Sequence, residues 1–327
     1  MSLEALNNPT LVGALTAGSY ALLPLVAKRP LTISFMAVKG LNVASYGLGL
    51  SCVSQPGRYD GAAAAPDSKS IDADARRGME QMGPSRGRTL VPPAPWAFVI
   101  WAPIFLGEFF MVTTPLVRKV SPVAEQILRE SAGPFALAQV FTALWTVSFR
   151  PKYGSKGGIY KYVSALALAG MAASLSICHK TYAGSSLRGI EYVLYGLPVS
   201  LHFGWTTAAS LVNLNGMFAL SNDTNRKNEA EAAKSVALLG HLSVVAATAI
   251  GVTVTLTRQA PVYGGVICWA LSAIASGLKK RIENVSSKEK EGNDAMVVGV
   301  YGVKRQRILS QLGALVCAGA VVASLVR

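Results

Sequence analysis

Nine apolar runs, separated by polar stretches, dominate the chain. They lack the alternation of a half-buried strand, and most approach the roughly 20 apolar residues that a bilayer-spanning helix needs. The runs are 9–27, 34–54, 94–117, 134–149, 162–178, 192–220, 235–256, 262–278 and 308–326. The pattern predicts an all-α protein, a polytopic transmembrane helical bundle with eight or nine spans, the count depending on whether the first run crosses the bilayer or lies on it.

One long polar stretch, residues 55–91, interrupts this pattern with mixed charges, Gly, Pro and an Ala tract, as is typical of a linker. We predict a hydrophobic N-terminal segment at 1–30, a membrane core at 31–281 that includes the linker, and a charged segment with a C-terminal transmembrane helix at 282–327. Residues 121–131 are predicted as a short connecting helix that precedes a brief apolar run from Pro134.

Composition points to an integral membrane protein. Only 15% of the residues are charged and the mean hydropathy is +0.38, whereas soluble domains carry about 25% charge. The net charge of +14 comes from Lys and Arg in loops and at helix ends, with no aromatic-interleaved basic patch, so we expect membrane lipids and no nucleic acid as partners. The loops alternate between the two sides of the membrane, and one set contains more than twice as many basic residues as the other. This difference predicts that the N-terminus and the more basic loops are on the inner side.

The third apolar run carries one charge before its basic exit, Glu108. Trp101, Phe105 and Glu108 are spaced i, i+4, i+7 and therefore share one face of a helix. A carboxylate at that depth is costly in lipid, so the face should meet protein or a water-filled cavity. Pro103 is predicted to bend the helix.

Polar residues of the sixth run form a second stripe on one helix face. They are His202, Thr206 and Asn213, together with Trp205. One interpretation is a ligand pocket between this stripe and the Trp101–Glu108 face, and the other is interhelical hydrogen bonding that only holds the bundle together.

The sequence gives little support for a catalytic function. Glu108 and His202 could form an acid–base pair geometrically, but no other residues complete a catalytic set. The four cysteines occur singly, without CxxC or Cys/His ligand spacing, so no metal site is predicted. No second ligand accompanies His202, which makes a haem-ligand role a weaker interpretation. Trp145 and Trp269 are interpreted as packing or interfacial anchors. We therefore expect no enzyme activity.

In two stretches, PPAPWAFVIWAPIFL and GLPVSLHFGWTTAASLVNLNGMF, the chain resembles the TspO/translocator protein family (peripheral-type benzodiazepine receptor-like), and more closely its tryptophan-rich sensory protein branch. PPAPWAFVIWAPIFL resembles the start of the family's second helix, with matches at Pro93, Trp96, Phe98, Ile100, Trp101, Ile104 and Phe105. GLPVSLHFGWTTAASLVNLNGMF resembles the fifth helix, with matches at Pro198, Trp205, Ala208 and Asn213. The similarity covers about residues 33–280.

The resemblance implies a helical bundle around a pocket for a tetrapyrrole, such as protoporphyrin or haem, or for a sterol-like lipid, with a role in sensing or transport. No cofactor is required. Carried over, Trp96, Trp101, Trp205, Ala208 and Asn213 line the pocket, to which the two helix faces add Phe105, Glu108 and His202. Known locations of the family suggest an organelle membrane, mitochondrial or plastid. The alternative function is a structural or assembly subunit of a larger membrane complex without its own ligand, and a homodimer is also conceivable.

Overall fold

Long helices make up the protein, as a computed structural model describes it. The model describes residues 8–28, 30–55, 57–59, 89–150, 153, 156–222, 229–288 and 301–326. The long helices are α1 (Pro9–Lys28), α2 (Phe35–Val53), α3 (Trp101–Val117), α4 (Pro122–Ser148), α5 (Val163–Ala183), α6 (Leu197–Asn222), α7 (Glu229–Arg258), α8 (Pro261–Lys288) and α9 (Tyr301–Leu325). These residues include no strand, so the predicted all-α class is confirmed.

Six segments of the described chain are long and apolar enough to cross a membrane: Pro9–Lys28, Pro95–Val117, Gly158–Ala183, Glu231–Arg258, Pro261–Glu283 and Gly302–Leu325. The first predicted run is among them. The remaining three runs also form helices, α2, α4 and α6, so each predicted run corresponds to one helix. Length and composition therefore support six spans, and the larger count of eight or nine stays a prediction.

The chain divides into two compact units, the first formed by Met1–Met79 with Ile100–Ser210 and the second by Glu80–Val99 with Leu211–Arg327. Most of the predicted linker, 60–88, and part of the predicted charged segment, 289–300, lie outside the described residues. The predicted boundaries at 30 and 281 stay predictions.

Helix α4 is the centre of the first unit, where it packs against α1, α2 and α5. Its start is well defined, because Pro122 occupies the first helical turn and the Ser121 hydroxyl accepts a hydrogen bond from the Ala124 N–H at 3.1 Å. Polar side chains join the outer helices: the Tyr20 hydroxyl donates to the Leu166 carbonyl at 2.7 Å. Such bonds satisfy groups that lipid cannot.

The second unit is built on α7, α8 and α9, which pack against one another. Residues 89–94 of this unit form irregular backbone. At membrane depth, the N–H and C=O groups of such backbone need hydrogen-bond partners inside the protein. The Ala94 N–H donates to the Ala273 carbonyl at 2.9 Å, and the Arg281 guanidinium donates to the Thr89 carbonyl at 3.1 Å. Helix α8 thus anchors this segment.

The division predicted before Pro134 is wrong. Helix α4 runs unbroken from Pro122 to Ser148 with Pro134 inside it. A proline in a helix removes one backbone hydrogen bond, but the turns on both sides of it are held by packing. Ile127 and Leu128 before the proline, and Phe135 after it, are all buried.

The helix type changes next to Pro103. Residues Pro95–Ile100 form a 3₁₀-helix, and α-helix begins at Trp101. Pro103 consequently lies in the first α-helical turn, where the missing N–H needs no partner within the helix. The helix type changes at Trp101, and a bend at Pro103 stays a prediction.

Gly170 of α5 provides a test of how closely α4 and α5 approach. A Cβ atom at this position would lie 2.4 Å from the buried Phe141 ring. We expect Gly170→Ala to lower the free energy of unfolding by about 1–3 kcal/mol, because the ring must leave its rotamer or the helices must separate. Denaturation in detergent measures this, and Gly265→Ala is the control, since nothing lies within 4 Å of its Cβ. Equal stability of the two variants would contradict the close contact.

Candidate functional site

Glu108 of α3 and His202 of α6 form a buried pair in the first unit. His202 Nδ1 lies 2.6 Å from Glu108 Oε1, and the side chains are 1% and 0% exposed. A carboxylate in such surroundings is tolerated when it is paired and hydrogen-bonded. The sequence left open whether these residues pair, and the structure brings them together.

Gln139 of α4 completes the environment of the carboxylate. Its side-chain amide donates from Nε2 to Glu108 Oε2 at 3.3 Å. The same amide packs tightly on α2, because a Cβ atom at Gly49 would lie only 1.9 Å from Gln139 Oε1. Both carboxylate oxygens of Glu108 therefore have a partner, and Gly49 provides the room for the second one.

A close helix contact at Gly107 and Pro198 positions the pair. A Cβ atom on Gly107 would lie 2.8 Å from Pro198 Cγ, so α3 and α6 approach next to Glu108. Pro198 cannot donate a hydrogen bond to the preceding turn. That turn, Tyr192–Gly196, is a π-helix, and regular α-helix follows from Leu197. Such wide turns are frequent at functional sites.

Trp101 lies at the centre of an aromatic cluster beside this pair. Phe105 stacks on it at a centroid distance of 5.2 Å, and Trp145 stacks on it at 6.4 Å. His202 and Trp205 meet it edge to face, at 5.7 and 6.1 Å. Trp101 and Phe105 are half-buried, whereas Trp145 and Trp205 are buried. The cluster therefore joins a partly accessible aromatic surface to a buried ionisable pair.

One end of the aromatic cluster meets the chain that follows α2. The Arg58 guanidinium lies 5.5 Å from the Trp145 ring, a cation–π distance. The Tyr59 N–H donates to the Phe149 carbonyl at 3.2 Å, and the two rings meet edge to face at 5.3 Å. Burial raises the pKa of the Tyr59 hydroxyl to about 12, so this group is neutral at physiological pH.

Two of the predicted site residues, Trp96 and Asn213, belong to the second unit. Trp96 is 42% exposed and meets Trp269 edge to face at 4.6 Å. The Trp269 indole N–H in turn donates to the Ala97 carbonyl at 3.2 Å. Asn213 is buried in α6.

The first unit contains the other six predicted residues: Trp101, Phe105, Glu108, His202, Trp205 and Ala208. The first five form the cluster and the pair, and Ala208 is buried one turn beyond Trp205 in α6. Gln139 was not predicted as a partner of Glu108, and Trp145 was interpreted only as a packing or interfacial anchor. A signal for Gln139 existed, since it is a polar residue within an apolar run, as Glu108 is.

The helices, their apolar composition and the buried polar pair define a helical integral membrane protein. A model of the TSPO-like protein family matches residues 79–287, more than half of the chain, and the protein belongs to that family. The family assignment made from the sequence is confirmed, whereas membership of the tryptophan-rich sensory branch stays a prediction. Comparisons with curated proteins and with solved structures each gave no match.

Proposed function

We propose that this protein binds a hydrophobic ligand, a tetrapyrrole or a sterol-like lipid, at the aromatic cluster around Trp101. Its role would be in sensing or transport in an organelle membrane, mitochondrial or plastid, with the N-terminus on the inner side. Binding requires no enzyme activity and no resident cofactor. The proposal rests on the six predicted residues of the first unit and does not depend on Trp96 or Asn213.

The observation that carries this proposal is the position of a half-buried aromatic face next to a buried polar pair. Trp101 and Phe105 lie nearly parallel, with an angle of 15° between their rings, and a flat apolar ligand can stack on such a face. Ligand sites are generally apolar with a few convergent polar groups, which Glu108 and His202 supply here. Stacking on Trp101 favours a planar or rigid ring system over a flexible chain.

Titration of the detergent-purified protein with protoporphyrin IX, followed by porphyrin absorbance and Trp fluorescence, tests the proposal. We expect saturable binding, with the Kd raised about tenfold or more in Trp101→Ala and in Trp205→Ala, or ~1.4 kcal/mol of lost binding free energy. Phe110→Ala is the matched control, because Phe110 is an exposed aromatic residue of the same helix. The control should bind as the unmodified protein does.

A sterol titration under the same conditions distinguishes the two ligand classes. Saturable binding of cholesterol alone, sensitive to the same two Trp substitutions, would assign the site to a lipid. No saturable binding of either probe by the folded protein would reject the proposal. The assembly-subunit alternative would then be favoured, and it predicts a stoichiometric partner that co-purifies with the protein.

A further inference from the structure

His202 uses only one of its two ring nitrogens in the described part of the chain. Nδ1 meets Glu108, but no described group hydrogen-bonds Nε2, although the side chain is only 1% exposed. Leaving a buried polar atom without a partner is destabilising. An atom of this kind beside the aromatic cluster is a natural contact for a ligand, and its protonation decides which ligands it accepts.

The number of protons on the pair determines whether Nε2 carries a hydrogen. Burial disfavours a net charge on the pair. A carboxylate with a neutral imidazole would be negative, so the neutral pair of Glu108 and His202 carries one proton more. If that proton is on the ring, both ring nitrogens carry hydrogen. If it is on the carboxyl group, it lies on Oε1, because Oε2 accepts from the Gln139 amide. The O–H then donates to Nδ1, and the hydrogen of the neutral ring is on Nε2. Both neutral arrangements make Nε2 an N–H donor.

Among the described residues, the other groups that interact with Glu108 supply no compensating charge. Gln139 contacts Glu108 from α4 and is uncharged. Tyr46 from α2, and Cys178 and Tyr182 from α5, interact electrostatically with Glu108, and they are neutral in their ordinary forms at pH 7. No described Lys or Arg forms an ion pair with the carboxylate. The pair must therefore neutralise itself.

Trp145 provides a second, independent indication of the same chemistry. Its indole Nε1 is buried and has no hydrogen-bond partner among the described residues. Indole nitrogen is a donor only. Trp145 and His202 both contact the Trp101 ring. Each of these two neighbours of Trp101 therefore carries a buried nitrogen without a described acceptor.

We infer that His202 Nε2 is a fixed hydrogen-bond donor and that the site selects hydrophobic ligands that present an oxygen acceptor, such as a carbonyl or carboxylate. The inference rests on the proposed function for its ligand and adds the polar group by which that ligand is recognised. It also excludes His202 as an axial ligand of a metalloporphyrin, since metal binding needs a free nitrogen lone pair.

Nitrogen NMR of protein labelled with ¹⁵N-histidine tests the protonation state without any ligand. The chain has three histidines, so the His202 signals are assigned by their loss in His202→Gln. We expect a hydrogen on Nε2 in the folded protein at neutral pH. An Nε2 without a hydrogen would overturn the inference even if protoporphyrin binds.

A matched ligand pair tests the selection. Cholestanone and cholestane share one skeleton and differ by a carbonyl oxygen. We expect the protein to bind the ketone about tenfold or more tightly, because an acceptor satisfies a buried donor. The preference should disappear in the double variant Glu108→Leu/His202→Leu, which removes the pair without leaving an unpaired charge, and should decrease in Trp145→Phe. Equal affinity for both ligands would refute the selection, whereas failure to bind any apolar probe would instead refute the proposed function.

Discussion

Replacing Glu108 with Ala is expected to lower the free energy of unfolding by about 3–5 kcal/mol, because removing one member of a buried pair leaves the other without compensation. The His202 ring would lose its only described hydrogen-bond partner, and the Gln139 amide would lose an acceptor. The measurement is reversible denaturation in mixed detergent, followed by far-UV circular dichroism.

Glu125→Ala is the matched control for this prediction. Glu125 forms an ion pair with Arg129 at 2.7 Å on a partly exposed helix surface. Pairs of this kind contribute only about 0–1 kcal/mol. The double variant Glu108→Leu/His202→Leu should recover much of the loss, since apolar replacement of a whole buried pair is often neutral. If Glu108→Ala cost no more than Glu125→Ala, the pair would not be buried in the membrane protein.

Gly49→Val is expected to destabilise the protein by about 2–4 kcal/mol, although the substituted position is on a different helix from the pair. The new side chain would occupy the place of the Gln139 amide, whose Oε1 lies 1.9 Å from the ideal Cβ position. Displacing Gln139 adds overpacking and leaves Glu108 Oε2 without its donor. Denaturation under the same conditions gives the effect.

Gly47→Val, on the same helix, is the control, because nothing lies within 4 Å of a Cβ atom there. A double-mutant cycle with Gln139→Ala separates the two parts of the effect. In the Gln139→Ala background, Gly49→Val should lower the free energy of unfolding by less than it does in the unmodified protein, since the two residues are in contact. Independent, additive effects would show that Gly49 and Gln139 do not meet.

The long apolar runs were sufficient to predict the helical class and a helix at each run, because bilayer-length apolar runs have few other solutions. The prediction failed at Pro134, where a local breaker was given more weight than packing. Ile127 and Phe135, on either side of the proline, are both buried, and their contacts keep α4 in one piece. Tertiary packing of this kind leaves no mark in a one-dimensional pattern.

The candidate site was predictable on each helix separately. The i, i+4, i+7 spacing placed Trp101, Phe105 and Glu108 on one face, as the structure confirms. The sequence does not indicate which faces of two helices pack together, so Gln139 and Trp145 of α4 were not assigned as partners of Glu108 and Trp101. The close approaches of Gly49 to Gln139 and of Gly107 to Pro198 are likewise properties of pairs of helices.

The π-turn at Tyr192–Gly196 has a consequence for evolution within the family. A π-turn accommodates one residue more than the corresponding α-turn. A homologue that lacks one of these five residues would wind regular α-helix and still present Pro198 and His202 to the same neighbours. A deletion between Leu197 and His202 would instead rotate His202 by about 100° relative to the preceding turn and break the pair. Single-residue gaps between relatives should therefore be tolerated within Tyr192–Gly196 and selected against between Leu197 and His202.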